Sequence, residues 1–357
     1  MEALVGREEV RLVTLTGPGG SGKSRLAVEA AGRLRPAFAN GVRYIELASV
    51  RSADLVPGAI AARLGLNTSG TRLRTDLVSY LRKRLLLVLD NFEQVTDAAP
   101  LLAELLAAAT GLKMLVTSRS MLRLSAEHEF PVPPLPVPPA GATPDTGSAG
   151  QFAAVRLFTM RAQAVAPGFR LTSQNIGAVT EICRRLDGLP LAIELAAARA
   201  RLLPAQALLA RLGDRMGVLT GGPRDAPERQ RTLKNTLDWS FALLAPGEQA
   251  LFARLGVLTG LFGLPAAEAV GAEAAGAEPA GQVFDTLNSL VDSSLVQPET
   301  RGDEPRFGLL ETIREYALGR LRDSGAWQDA TIGTRPTSWP WAGRPNRSCG
   351  ATGSWPG

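Results

Sequence analysis

Eight residues, Gly17 to Ser24, constrain this chain more than any others; they read GPGGSGKS. They satisfy G-x-x-x-x-G-K-[ST] at each fixed position (Gly17, Gly22, Lys23, Ser24), with Pro18, Gly19, Gly20 and Ser21 between. Arg11–Thr16 before them is rich in β-formers and predicts a strand. Ser24–Leu34 after them is rich in Ala, Leu and Arg and predicts a helix. Strand, glycine loop and helix together are the setting of a phosphate-binding loop. The glycines let backbone N–H groups turn inward around a di- or triphosphate, and the helix N-terminus adds its positive end. Lys23 then reaches the β- and γ-phosphates, the Ser24 hydroxyl ligates Mg²⁺, and Arg25 follows on the helix beside the nucleotide. Gly17, Gly19 and Gly22 also spell the dinucleotide fingerprint G-x-G-x-x-G, with Glu46 near the end of a second strand-like run, Val42–Leu47. The Lys23-Ser24 pair favours the phosphate loop.

A second motif lies where a nucleoside triphosphatase needs it. Leu85–Asp90 (LLLVLD) is a continuous apolar run closed by one acid. That pattern suits a buried parallel strand with a carboxylate at its C-terminal end, where ligands of open α/β sheets bind. Asp90 is thus the metal-side acid. Many such ATPases place a second acid directly after the first. Here that residue is Asn91 and the nearest acid is Glu93, so hydrolysis is expected to be slow. Lys113–Arg119 (KMLVTSR) predicts a further buried strand, with Arg119 at its tip able to meet the γ-phosphate.

With these residues in view, the chain resembles a family. The order GREE, LTGPGGSGKSRLA, LLLVLDNFEQV, LVTSR, EHEFPVPPLPV, CRRLDGLPLAIELAAARARLL, TLDWSFALL and LLETIREYA is similar to the ATPase core of bacterial signal-transduction regulators, relatives of the NB-ARC proteins, over about residues 3–325. The resemblance implies a switch that is closed with ADP and open, often oligomeric, with ATP. It implies that Arg119 senses the γ-phosphate and that Pro190, in GLPLA, packs near adenine. The bare residues allow Pro190 to be a helix breaker between two helical runs. The chain departs from the family pattern at three points. Relatives place a helix between the GRE element and the first strand, whereas Gly6-Arg7-Glu8-Glu9 runs almost directly into Arg11–Thr16. Relatives often use a winged-helix histidine on the ADP phosphate, but the one histidine is His128, expected in a loop of the sheet domain. The third departure is the tail.

The expected fold class is α/β: a P-loop NTPase parallel sheet with helices on both faces, then a helical domain and a winged-helix domain. The expected boundaries are 1–132 for the nucleotide-binding domain, 133–150 for a Pro/Gly-rich linker, and 151–213 for the helical domain. A linker at 214–231, a winged helix at 232–325 and a disordered tail at 326–357 follow. Ile176, Val179, Ile182, Leu186 and Leu189 recur at helical spacing and form one apolar face. In the winged helix, Leu233, Leu237, Phe241 and Leu244 mark one helix, and Val283, Leu287, Leu290 and Val291 another. Leu295–Gln297 and Arg306–Leu309 are expected to form the wing.

The helix that would read DNA, VFDTLNSLVDSSL, has no Arg or Lys and carries Asp285 and Asp292. A DNA-reading helix needs cations for phosphates, so direct DNA contact by this core is not expected. Net charge is +5, but only four of the 39 basic residues are lysine. With so much Ala and Gly, this points to a GC-rich genome rather than to a nucleic-acid partner. No apolar run reaches the roughly 18 residues of a membrane span, and no signal peptide opens the chain. Cys183 and Cys349 make no metal or redox pattern. These features predict a cytoplasmic protein that binds ATP/ADP and Mg²⁺ and self-associates in its ATP state. Two alternatives stand beside the switch: a transcription factor acting through its own winged helix, and a nucleotide-binding scaffold that does not hydrolyse.

From Trp327 onward the helical pattern is lost, and four of the five tryptophans lie in that stretch. Back-translation with GC-rich codons, shifted by one nucleotide, yields helix-rich strings similar to the start of the helical-repeat sensor of relatives. The tail is therefore expected to be read out of frame.

Overall fold

Leu85–Asp90 is apolar toward both sides, and the fold covers both sides. The computed structural model describes residues 1–66, 72–139, 146–212, 219, 222, 231–272, 280–301 and 304–325. The stretch 326–357 and most of 214–231 lie outside the described residues. The first part runs α1 (Glu2–Gly6), β1 (Leu12–Thr16), α2 (Lys23–Leu34), β2 (Val42–Glu46), α3 (Val56–Leu64), α4 (Leu73–Leu81), β3 (Leu85–Asp90), α5 (Ala99–Ala108), β4 (Leu112–Thr117) and β5 (Glu127–Pro131). The five strands form one parallel sheet in the order β2-β3-β4-β1-β5.

Successive side chains of a strand point to opposite faces. Leu85, Leu87 and Leu89 accordingly pack with α3, α4 and α5. Leu86 and Val88 pack with α1 and α2 on the other face. All five are at most 1% exposed, so truncating any one to Ala costs about 2–5 kcal/mol. Two cations tie loops to this frame. The Arg11 guanidinium donates to Leu106 O at 2.6 Å, closing the C-terminal end of α5. Lys113 Nζ donates to Val5 O at 2.8 Å and to Arg7 O, seating the segment that leads into β1. Residues 7–11 connect α1 to β1 without a helix.

The second part holds α6 (Thr146–Ala149), α7 (Ala153–Val165), α8 (Ile176–Arg185), α9 (Pro190–Ala197) and α10 (Ala205–Arg211). The apolar face read from the sequence of α8 is buried, from Ile176 through Leu189. Cys183 lies within it, and burial pushes its thiol up to about 12. The third part is α11 (Leu233–Ala242), α12 (Pro246–Leu255), α13 (Leu264–Ala272), α14 (Ala280–Asp292), β6 (Gln297–Arg301), β7 (Glu304–Gly308) and α15 (Glu311–Asp323). Thr232 caps α11, its Oγ1 accepting from Asn235 N at 2.9 Å. One continuous apolar core runs through the second and third parts, from Phe158 and Ile193 to Leu237 and Ile313. A single carboxylate joins them as well. Asp187 Oδ2 accepts from both the N–H and the hydroxyl of Thr312, at 2.8 and 2.9 Å, in the first turn of α15.

Three local expectations are corrected. His128 is not in a loop; it lies in β5, paired with Val13 of β1. The polar surroundings of His128 hid an edge strand that one neighbour holds through the backbone. β4 ends at Thr117, so Arg119 lies beyond the strand rather than at its tip. The wing strands sit later than expected for the first and earlier for the second. Leu295 and Val296 are core residues, while polar residues 297–301 pair with 304–308. Phe262 extends this hairpin by exchanging two 2.8 Å backbone bonds with Phe307.

Candidate functional site

The loop between β1 and α2 has the backbone that a phosphate cradle requires. Gly17, Gly20 and Gly22 all have positive φ. Gly17 is the most constrained of these: a Cβ there would meet the Val132 carbonyl at 2.6 Å. α2 starts at Lys23, so its N-terminal N–H groups face the loop. Lys23 Nζ donates to the carbonyls of Gly17 and Pro18, at 2.7 and 3.1 Å. Burial brings its ammonium down to about 8, with Glu93 and Asp90 opposing the shift and Arg119 adding to it.

The loop opens on a cavity of about 1080 Å³ that reaches all three parts of the chain. Residues 19–25 line it, with Asn91, Glu93, Arg119, Pro190 and Trp239. Glu93 Oε1 lies 3.6 Å from Arg119 Nε, and both side chains are almost fully buried. Pro190 opens α9, and its Cγ stands 3.9 Å from where a Cβ on Gly22 would be. Leu191 N donates to Gly20 O at 3.2 Å. From the third part, the Thr236 methyl stands 2.9 Å from where a Cβ on Gly19 would be. Arg25 turns outward to Glu194 at 3.2 Å, and Glu194 also binds Arg161 at 2.8 Å.

Asp90 is placed differently from its neighbours. It is 3% exposed and does not line the cavity. Its Oδ2 accepts from the Tyr44 hydroxyl of β2 at 2.6 Å, and its Oδ1 from the Thr117 hydroxyl of β4. Asn91 follows with φ 64°, its N–H donating to Thr117 Oγ1 at 2.9 Å.

The structure thus gathers the loop, Lys23, Ser24, Glu93, Arg119 and Pro190 at one cavity and sets Asp90 just behind it. Sequence patterns did not single out Tyr44, Thr117, Thr236 or Trp239. Thr236, Trp239 and Thr117 stood inside quoted motifs, TLDWSFALL and LVTSR, but with no role; Tyr44 carried no signal beyond its place on a strand.

Among the described residues, no three or more His, Cys, Asp or Glu side chains form a cage that could hold a metal ion. Mg²⁺ does not need one: it takes one or two carboxylates together with phosphates and waters. Two buried oxygens beside the loop, Ser21 Oγ and Glu93 Oε2, have no hydrogen-bond partner among the described residues. Hydroxyl and carboxylate oxygens without protein partners, beside a phosphate cradle, fit a hydrated Mg²⁺–phosphate group.

A nucleotide-type cradle on a five-stranded parallel sheet, closed over by helices and a winged helix, defines a P-loop NTPase fold. Comparison with known proteins agrees. The NB-ARC domain model matches residues 1–129, and a winged helix-turn-helix domain model matches residues 244–322. An uncharacterized protein of Mycobacterium tuberculosis is 39% identical over 318 residues, covering 88% of this chain and 77% of its own length. A protein of the same organism, named as a candidate HTH-type transcriptional regulator, is 41% identical over 330 residues, covering 91% and 35%. The regulatory protein AfsR of Streptomyces coelicolor is 29% identical over 320 residues, covering 85% and 28%. The chain belongs to the NB-ARC family, as a member with a winged helix-turn-helix domain behind the nucleotide-binding module. It spans about a third of the length of the regulator-named relative. Among the described residues, no helix is long and apolar enough to cross a membrane.

Proposed function

We propose that this chain is the ATP/ADP-dependent switch core of a signalling or transcriptional regulator, with slow Mg²⁺-dependent hydrolysis, working in the cytoplasm. The observation that carries the reading is the phosphate loop's enclosure by the second and third parts through Leu191 and Thr236. A ligand in that loop is therefore bound by the same residues that set how the parts are arranged. Titration calorimetry with ADP and ATP, paired with limited proteolysis in each state, tests this. Binding without any nucleotide-dependent change in cleavage would leave a static scaffold. Self-association is expected only with ATP, and sedimentation reads it.

In this reading the loop amides and Lys23 hold the phosphates, Ser24 and Asp90 serve the metal, and Arg119 meets the γ-phosphate. Mg²⁺, when bound, neutralises charge on the β- and γ-oxygens. Asn91 cannot take a proton from water, and Glu93 lies two residues beyond the usual place of a second acid, with one oxygen paired to Arg119. Turnover below about 1 s⁻¹ is expected, under the range of most dedicated enzymes. Asp90→Asn is expected to weaken Mg²⁺-dependent ATP binding by roughly tenfold and to spare metal-free ADP binding. An equal loss of both would make Asp90 a structural residue.

The winged helix-turn-helix match supports a second reading, in which the third part itself contacts DNA. Against it, the outward face of α14 carries Phe284, Asp285 and Asn288 and no cation. The end of α14 is also tied to the first part: Ser294 Oγ donates to Arg119 O at 2.7 Å, and Asp292 pairs with Arg123. The ADP-bound chain is expected not to retain duplex DNA. Retention that falls steeply with salt would favour the second reading.

A further inference from the structure

We propose that the Tyr44 hydroxyl is a positioning group for Asp90, holding the carboxylate in the orientation from which it serves the water shell of a nucleotide-bound Mg²⁺. The inference rests on the Mg²⁺-nucleotide reading above. Asp90 ends β3, and its two neighbouring strands each send one hydroxyl to it. Tyr44, from β2, takes Oδ2 at 2.6 Å. Thr117, from β4, takes Oδ1. The polarity of the second bond is set by Asn91, whose N–H donates to Thr117 Oγ1 at 2.9 Å. That contact occupies a lone pair of the hydroxyl and leaves its proton for Asp90.

An ionised carboxylate offers about four lone-pair sites. Here one site on each oxygen is taken by a neutral donor, and one on each remains. The carboxylate cannot rotate about its Cβ–Cγ bond without breaking both bonds at once. Neither donor carries a charge, so neither cancels that of the carboxylate, which acts on the Lys23 ammonium. Tyr44 sits far from the loop in sequence, yet strand register brings it here: Glu46 of β2 pairs with Asp90, two residues beyond Tyr44. Tyr44 itself lies opposite Val88, and its phenol is long enough to reach forward along the strands to the carboxylate two residues on, a span that a serine or threonine could not cover.

A hydroxyl that merely satisfies a buried acid would affect folding, not metal dependence. The test separates the two. Wild type, Tyr44→Phe, Thr117→Val and Thr117→Ser are titrated calorimetrically with ATP plus Mg²⁺, with ATP plus EDTA, and with ADP plus EDTA. In Tyr44→Phe and Thr117→Val, the gain in ATP affinity that Mg²⁺ confers is expected to fall about tenfold. Metal-free ADP affinity should be unchanged, which also reports an intact fold. Thr117→Ser keeps the hydroxyl and should keep the wild-type gain. A wild-type Mg²⁺ gain in Tyr44→Phe overturns the proposal, as does an equal loss of metal-free ADP affinity. If wild type binds ADP but shows no Mg²⁺ gain, the metal reading itself fails and the proposal falls with it. The wild-type titration alone separates that outcome from the other two.

Discussion

Lys23→Ala is expected to remove measurable binding of both ADP and ATP. The ammonium is buried at the mouth of the phosphate loop and holds two loop carbonyls, those of Gly17 and Pro18. A phosphate group entering the loop would replace those neutral acceptors with charged oxygens, and charge-assisted bonds are roughly twice as strong as neutral ones. Truncating one partner of such a buried pair costs about 3 kcal/mol or more, on the order of a hundredfold in affinity. Lys23→Arg is the useful companion: it keeps the charge but places a planar fork where the loop fits a point charge. Titration calorimetry reads both. Undiminished affinity in Lys23→Ala would remove the phosphate-loop assignment, and with it the switch.

The largest expected effect on stability lies away from the loop, at Gly188. Its φ is +68°, and a Cβ there would meet the Leu135 carbonyl at 2.1 Å, a backbone atom that cannot move aside. Leu135 N–H in turn donates to Gly188 O at 2.9 Å, so the two segments are locked face to face. The left-handed conformation alone costs an L-residue about 1–2 kcal/mol, and the clash adds to it. Gly188→Ala is therefore expected to destabilise by roughly 3 kcal/mol or more. Because α9 begins two residues later and rests on the phosphate loop, nucleotide affinity should fall too. Gly32→Ala is the control. Gly32 lies within α2 with open space around its Cβ position and no positive φ, so the change should be neutral or stabilise by about 0.5–1 kcal/mol. Denaturant unfolding compares them; equal midpoints for the two variants would refute the strained turn.

The sequence carried the fold class and the loop because their physics is local. Glycines at fixed spacing, a buried apolar strand and a terminal acid each announce themselves without reference to the rest of the chain. Lys23, Asp90, Arg119 and Pro190 were reached this way, and four of the five strands were read close to their observed bounds. What escaped detection depended on neighbours in space. Tyr44 and Thr117 read as ordinary β-formers until strand register put their hydroxyls on one carboxylate. Thr236 and Trp239 read as one turn of an amphipathic helix until that helix was laid across Gly19. His128 was misread for a related reason: an edge strand held on one side by backbone bonds needs no apolar alternation to show in its sequence. The wing shifted because hairpin register is set by pairing, which the pattern of 297–308 does not encode.

The bond from Asp187 to Thr312 bears on how such a chain can be taken apart. A helix start is usually closed by a residue next to it in sequence, but α15 borrows its cap from a turn 125 positions upstream. The apolar core is shared across the same boundary. An excised winged helix would leave with a frayed last helix, missing about 0.5–2 kcal/mol of capping, and with an open apolar flank. Recombination that swapped this winged helix for another would have to bring along a matching acid in a foreign turn. The three parts succeed one another like beads on the sequence, yet the last two share one apolar core and one cap, and neither can be exchanged without cutting both.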